Sequence, residues 1–181
     1  PCWNKEWLCT VENRTMNRFA HPLSPTAALP TARLGALATA VPKHVLHQEA
    51  VAAGANRIFA GDFSDFSRLR PVYANAEIDT RHSCVPIDWY HKPHSFTDRN
   101  QLYIENAVEL LAAAARQALA EGGLTFDDID GLVVASSSGI ATPSLDALLM
   151  ERLRLRRDMQ RLPIFGLGCA GGVIGLSRTA Q

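Results

Sequence analysis

The order of elements in the last fifty residues constrains the fold most. "GLVVASSS" (131–138) is a short apolar run ending in three serines. "SLDALLMERLRL" (144–155) carries apolar residues at helical spacing behind Pro143, with Ser144 as its N-cap. "LPIFGL" (162–167) is a second apolar run, and "AGGVIGLSRTA" (170–180) opens another helix. Strand, helix, strand, helix in close succession reads as α/β, a largely buried sheet covered by helices.

The upstream residues extend that pattern. "RLGALATAV" (33–41) has the small, apolar character of a buried strand, ended by Pro42. "VLHQEAVAAGANRIFA" (45–60) reads as a helix, and a short helix is expected near 64–74. The clearest element covers 98–121. There Ile104, Val108, Leu111, Ala115, Ala118 and Leu119 recur at three- and four-residue steps and make one apolar stripe. Ser95 and Asp98 offer a capping box at its start, and Gly122 and Gly123 stop it. No internal repeat interrupts the series.

Composition supplies the material for a core: 47% of the 181 residues are hydrophobic and 20% charged. Lys plus Arg equals Asp plus Glu at 18 each, so no global basic field exists to draw in nucleic acid. The run "RLRLRRDMQR" (152–161) reads as the exposed end of an amphipathic helix, with a dimer surface or an acidic ligand as its other possible uses. No apolar stretch reaches the ~18 residues that cross a bilayer. "PCWNKEWLCT" at the start lacks the continuous apolar segment of a secretory signal, so a cytoplasmic location is expected. Cys2, Cys9, Cys84 and Cys169 form no CxxC pair and are expected as free thiols. Residues 1–32 are expected to be a flexible Pro-rich extension, with Met16 a candidate natural start, and residues 33–181 one domain.

Two stretches offer chemistry. "HSCVPIDWYHKPH" brings together His82, Cys84, His91 and His94, which are zinc-compatible residue types, but their spacing fits no standard site and a packed surface loop is expected instead of a metal centre. "FGLGCAGGVIGLSR" (165–178) sets Cys169 among four glycines where a strand gives way to a helix. A side chain there projects from the end of the sheet at the positive end of the helix dipole, a setting that favours thiolate over thiol. Gly166, Gly168, Gly171 and Gly172 allow a tight turn and close substrate approach. The N–H groups of such a turn are candidate oxyanion donors. From the glycine pattern alone, a nucleophile and a small buried cysteine in a packing turn both remain open.

"SSSGIATPSLDALL" and "PIFGLGCAGGVIGLSR", in this order and separation, resemble the type III polyketide synthases, the chalcone and stilbene synthase family, most closely the bacterial members that make alkylpyrones and alkylresorcinols. The likeness extends more weakly back to about Arg33. It implies the N-terminal half of a thiolase-like fold, whose two α/β halves form αβαβα layers in a homodimer. It implies that Cys169 is the nucleophile, loaded from an acyl-CoA starter, and that malonyl-CoA is the extender, with no resident cofactor. Ser137 and Ser138 fall where the family lines its starter pocket, and Thr142 stands where plant relatives have a methionine that reaches across the dimer into the partner's cavity. Arg68 lies near a lysine that plant relatives use on CoA phosphate, with Arg70 a possible substitute. The positions beside them are Pro71 and Asn75, which depart from the family pattern. The family's partner histidine and asparagine lie downstream of the cysteine. Here all six histidines precede Cys169 and no asparagine follows it, so these residues alone are expected not to turn over. An initiating ketoacyl-carrier-protein synthase and a non-catalytic remnant are the other readings.

Overall fold

A computed structural model of the chain describes residues 32–59, 68 and 70–180. The expected extension over 1–32 and the Met16 start lie outside those residues, apart from residue 32. Four strands and five α-helices are described, with short 3-10 helices at Ile87–His91 and Phe126–Asp128: β1 (His44–His47), α1 (Gln48–Phe59), α2 (Arg70–Asn75), β2 (Thr80–Ser83), α3 (Phe96–Gly122), β3 (Gly131–Ser136), α4 (Leu145–Leu153), β4 (Gln160–Phe165) and α5 (Ala170–Thr179).

The centre is a βαβ unit. β3 and β4 pair in parallel from Gly131 opposite Gln160 to Ser136 opposite Phe165, and α4 carries the chain between them. Side chains on a strand alternate between faces, and each face has its own helical cover. Val134 and Leu132 face α3 and α4, in a cluster with Ala112, Leu145, Leu149 and Leu153. Val133 and Ala135 face α5. A Cβ built on Gly171 would stand 3.6 Å from that of Ala135, and one on Gly175 3.6 Å from Val133 Cγ1. Helix and strand therefore meet across glycines, at a separation that larger residues would widen.

α4 repeats leucine at 145, 149 and 153, one residue per turn on one face, and all three are buried. Burying each contributes about 2 kcal/mol of transfer free energy. α3 is fixed at both ends by local chemistry. Ser95 Oγ accepts from the Asp98 N–H at 3.0 Å while Asp98 accepts from the Ser95 N–H at 3.1 Å. Gly123 ends the helix at φ 66°, a left-handed conformation that glycine adopts without strain.

The apolar segment 33–41 is not a strand. No ladder is formed there, and Leu34, Leu37 and Val41 are exposed. Apolar character alone does not make a strand; backbone pairing with a neighbour does. The helix expected from residue 45 begins at Gln48, because His44–His47 pair antiparallel with Thr80–Ser83. Of the short helix expected near 64–74, α2 supplies Arg70–Asn75; residues 64–67 and 69 lie outside the described residues. Among the described residues no helix is long and apolar enough to cross a membrane.

Candidate active site

β4 ends at Phe165 and α5 starts at Ala170, leaving four residues to reverse the chain. Gly166 and Gly168 take φ of 77° and 52°, which is left-handed backbone that costs other residues roughly 1 kcal/mol or more. Cys169 is the N-cap of α5. It is exposed, and its thiol makes no capping hydrogen bond. Cys169 thus lies at the C-terminal end of a parallel strand pair and at the positive end of a helix, the usual place for ligands on α/β sheets.

The turn is braced from inside. Gly166 N–H donates to the Ser136 carbonyl at 3.0 Å, which ties the cysteine turn to the end of β3. Ala170 N–H donates to the Leu167 carbonyl and Gly171 N–H to the Gly168 carbonyl, both at 3.1 Å. These two amides are occupied within the turn and are not free to act as oxyanion donors.

Ser137, Ser138 and Thr142 sit together on the loop between β3 and α4, and all three are exposed. The loop is held by residues the sequence reading did not single out. Asn100 Nδ2 donates to the Ile140 carbonyl at 2.8 Å, and its Oδ1 accepts from the Ile140 N–H at 2.9 Å. One turn later the Tyr103 hydroxyl hydrogen-bonds Ser136 Oγ, and a Cβ built on Gly139 would clash with the edge of the Tyr103 ring. Their only sequence signal is the i, i+3 spacing of two polar-tipped residues at the head of α3.

Behind the loop is a cavity of about 260 Å³, walled by Val134, Leu145, Pro163 and Ile164 and reached by Ser136 and Ser144. It includes none of Ser137, Ser138, Thr142 and Cys169. Asp146 lies at its wall, fully buried, with Oδ2 accepting from Arg161 Nη1 at 2.8 Å. Arg68 is exposed, and Arg70 is the first residue of α2.

The remaining candidates are occupied locally. Arg152 grips Glu109 with Nε and Nη2 at 2.6 and 2.8 Å. That hydrogen bonding holds the Glu109 carboxyl below its ordinary range and raises Arg152. Arg156 pairs with Asp130 at 2.6 Å. Much of the basic run is therefore matched to carboxylates, and its helix has already ended at Leu153. His82 Nδ1 lies 3.1 Å from the Pro42 carbonyl, and His94 stacks on Trp89 at 3.7 Å with its Nε2 2.9 Å from the Trp89 carbonyl. These rings serve loop packing.

Residues 24–181 match the family model for chalcone and stilbene synthases, N-terminal domain. The chain is 37% identical over 145 residues to a 1,3,6,8-tetrahydroxynaphthalene synthase of Streptomyces peucetius, covering 80% of this chain and 38% of the relative. It is 34% identical over 137 residues to a phloroglucinol synthase of Pseudomonas fluorescens, covering 76% and 39%. Among solved structures it superimposes on the tetrahydroxynaphthalene synthase of Streptomyces coelicolor, a bacterial type III polyketide synthase, with TM-score 0.70 and 29% identity over 79% of this chain and 42% of that one. The chain spans about two fifths of the length of these relatives.

Proposed function

Because the chain belongs to the chalcone and stilbene synthase family, matching its N-terminal domain and carrying the N-terminal half of its thiolase-like fold, we propose that it supplies the nucleophile-bearing part of a type III polyketide synthase. One observation carries this reading: Cys169 stands exposed at the head of α5, in the glycine turn that leaves the parallel strand pair.

In the proposed reaction Cys169 Sγ, as thiolate, adds to the carbonyl of an acyl-CoA. The carbon–sulfur bond to CoA breaks, CoA leaves as its thiolate and takes up a proton, and the acyl group stays on Cys169. Malonyl-CoA then loses CO₂. The resulting carbanion attacks the acyl-enzyme carbonyl, a carbon–carbon bond forms, and the bond to Sγ breaks to restore the thiolate. CoA thioesters are the only substrates, and no resident cofactor is needed. Ser137, Ser138 and Thr142 border the acyl group, and Arg68 and Arg70 meet CoA phosphate. The occupied amides of Ala170 and Gly171 agree with oxyanion stabilisation by the family's histidine and asparagine, which have no counterpart after Cys169 here. On this reading these 181 residues alone do not turn over, and the working enzyme is a cytoplasmic homodimer.

The experiment is acyl loading followed by mass mapping. The gene product that carries these residues, incubated with acyl-CoA, should gain one acyl mass on the Cys169 peptide, and Cys169→Ala should abolish it. Extension by malonyl-CoA distinguishes this reading from a carrier-protein-dependent synthase, which would require malonyl carrier protein. Absence of acylation at Cys169 overturns it.

A further inference from the structure

We propose that Asn100 is a positioning residue of the acyl site, acting through the main chain of Ile140 to hold the 137–142 loop beside the cysteine turn. The inference rests on the function proposed above. Asn100 meets both polar groups of one residue, donating to the Ile140 carbonyl at 2.8 Å and accepting from its N–H at 2.9 Å. Two antiparallel hydrogen bonds to one residue fix its orientation as well as its place, as a neighbouring strand would. Of the small side chains only a carboxamide can both donate and accept in this way; a carboxylate cannot donate, and a hydroxyl cannot span both groups.

The hold continues to the cysteine. Tyr103, on the same face of α3, covers Gly139 and bonds the Ser136 side chain. The Ser136 carbonyl accepts from Gly166 N–H at 3.0 Å, and Gly166 begins the turn that presents Cys169. From the head of α3, contacts thus reach the loop that carries Ser137, Ser138 and Thr142 through Asn100 and Ile140, and the nucleophile turn through Tyr103, Ser136 and Gly166. The side chains of Ser137, Ser138 and Thr142 are exposed, so it is the loop backbone, anchored through Gly139, Ile140 and Ala141, that keeps them in place. Displacements of about 1 Å in groups that orient a reacting centre are enough to cost an order of magnitude or more in rate.

The test compares wild type with Asn100→Ala and Asn100→Asp in the gene product that carries these residues. Three quantities are read: the acylation rate of Cys169 by a series of acyl-CoAs, alkylation of Cys169 and Cys84 by iodoacetamide, and amide exchange at Ile140. Both variants should slow acylation about tenfold and raise Ile140 exchange. Alkylation of both cysteines should stay within about twofold, since iodoacetamide needs no acyl pocket. Two results overturn the proposal while leaving the function intact. In the first, wild type and variants acylate at the same rate. In the second, slower acylation comes with faster alkylation of the half-buried Cys84, which reports general loosening. A wild-type protein that takes no acyl group overturns the function itself and this inference with it.

Discussion

Arg161 of β4 donates through Nη1 to Oδ2 of Asp146 on α4 at 2.8 Å, and the two groups differ sharply in exposure: the Asp146 side chain is 1% accessible and that of Arg161 38%. The pair locks the second strand of the central unit to the helix that delivers the chain to it. It also supplies the cation that a fully buried carboxylate requires, because its other oxygen, Oδ1, has no partner among the described residues. Arg161→Ala should destabilise the protein by about 2 kcal/mol, less than a wholly buried pair would lose because the guanidinium is partly in water. Adding Asp146→Asn should recover part of that loss, since a neutral amide is less costly to bury than an unpaired carboxylate. Urea denaturation of the two single variants and the double variant measures both, and additive losses would refute the pairing.

Cys169 invites the opposite expectation. Its side chain is exposed and caps nothing, so Cys169→Ala should leave stability within about 0.5 kcal/mol of wild type. Iodoacetamide followed by peptide mass mapping should mark Cys169 before the half-buried Cys84. Equal labelling would remove the basis for reading Cys169 as the reactive thiol.

Gly139 has no room for a side chain. A methyl group there would overlap the edge of the Tyr103 ring, so Gly139→Ala must push the ring away from Ser136. The expected cost is about 2 kcal/mol, in the range of overpacked cores. Tyr103→Ala in the same chain relieves the overlap, so the double variant should be more stable than the sum of the single losses predicts. Thermal denaturation of the four proteins tests this, and strict additivity would exclude the contact.

What was legible in the sequence was local. Ser95, Asp98, Gly122 and Gly123 placed the ends of α3 within two residues, because caps are chemistry between near neighbours. The apolar runs and leucine spacing of 131–167 gave β3, α4 and β4, and the glycines around Cys169 gave the turn. Most of what the sequence does not show is non-local. The segment 33–41 looks like a strand but has no ladder. His44–His47 is a strand because of Thr80–Ser83, a polar run with no strand signal of its own. Asn100 acts on Ile140 across forty positions, and Asp146 faces an arginine that read as part of a basic helix end.

The capping box of α3 makes a prediction about acid. Hydrogen bonding to Ser95, from its side chain first and its backbone second, holds the Asp98 carboxyl below the ordinary aspartate value. Thr125 does the same for Asp128 ahead of β3. A carboxyl with a depressed folded-state value binds its proton more readily in the unfolded chain. It therefore contributes stability that is fully present above the unfolded-state value and is lost as pH falls through the folded-state one. Asp98→Asn should remove its share of that dependence, so the variant's stability should fall less steeply with acid than that of wild type. Asp98→Asn together with Asp128→Asn should flatten the profile further, the two boxes being far apart in sequence and sharing no partner. Urea midpoints taken from neutral pH down through the carboxylate range measure the slope. Amide exchange in the first turn of α3 assigns Asp98's share, since that turn should open in acid in wild type and be equally open at all pH values in Asp98→Asn. A wild-type slope retained in both variants would mean that neither box is formed in solution.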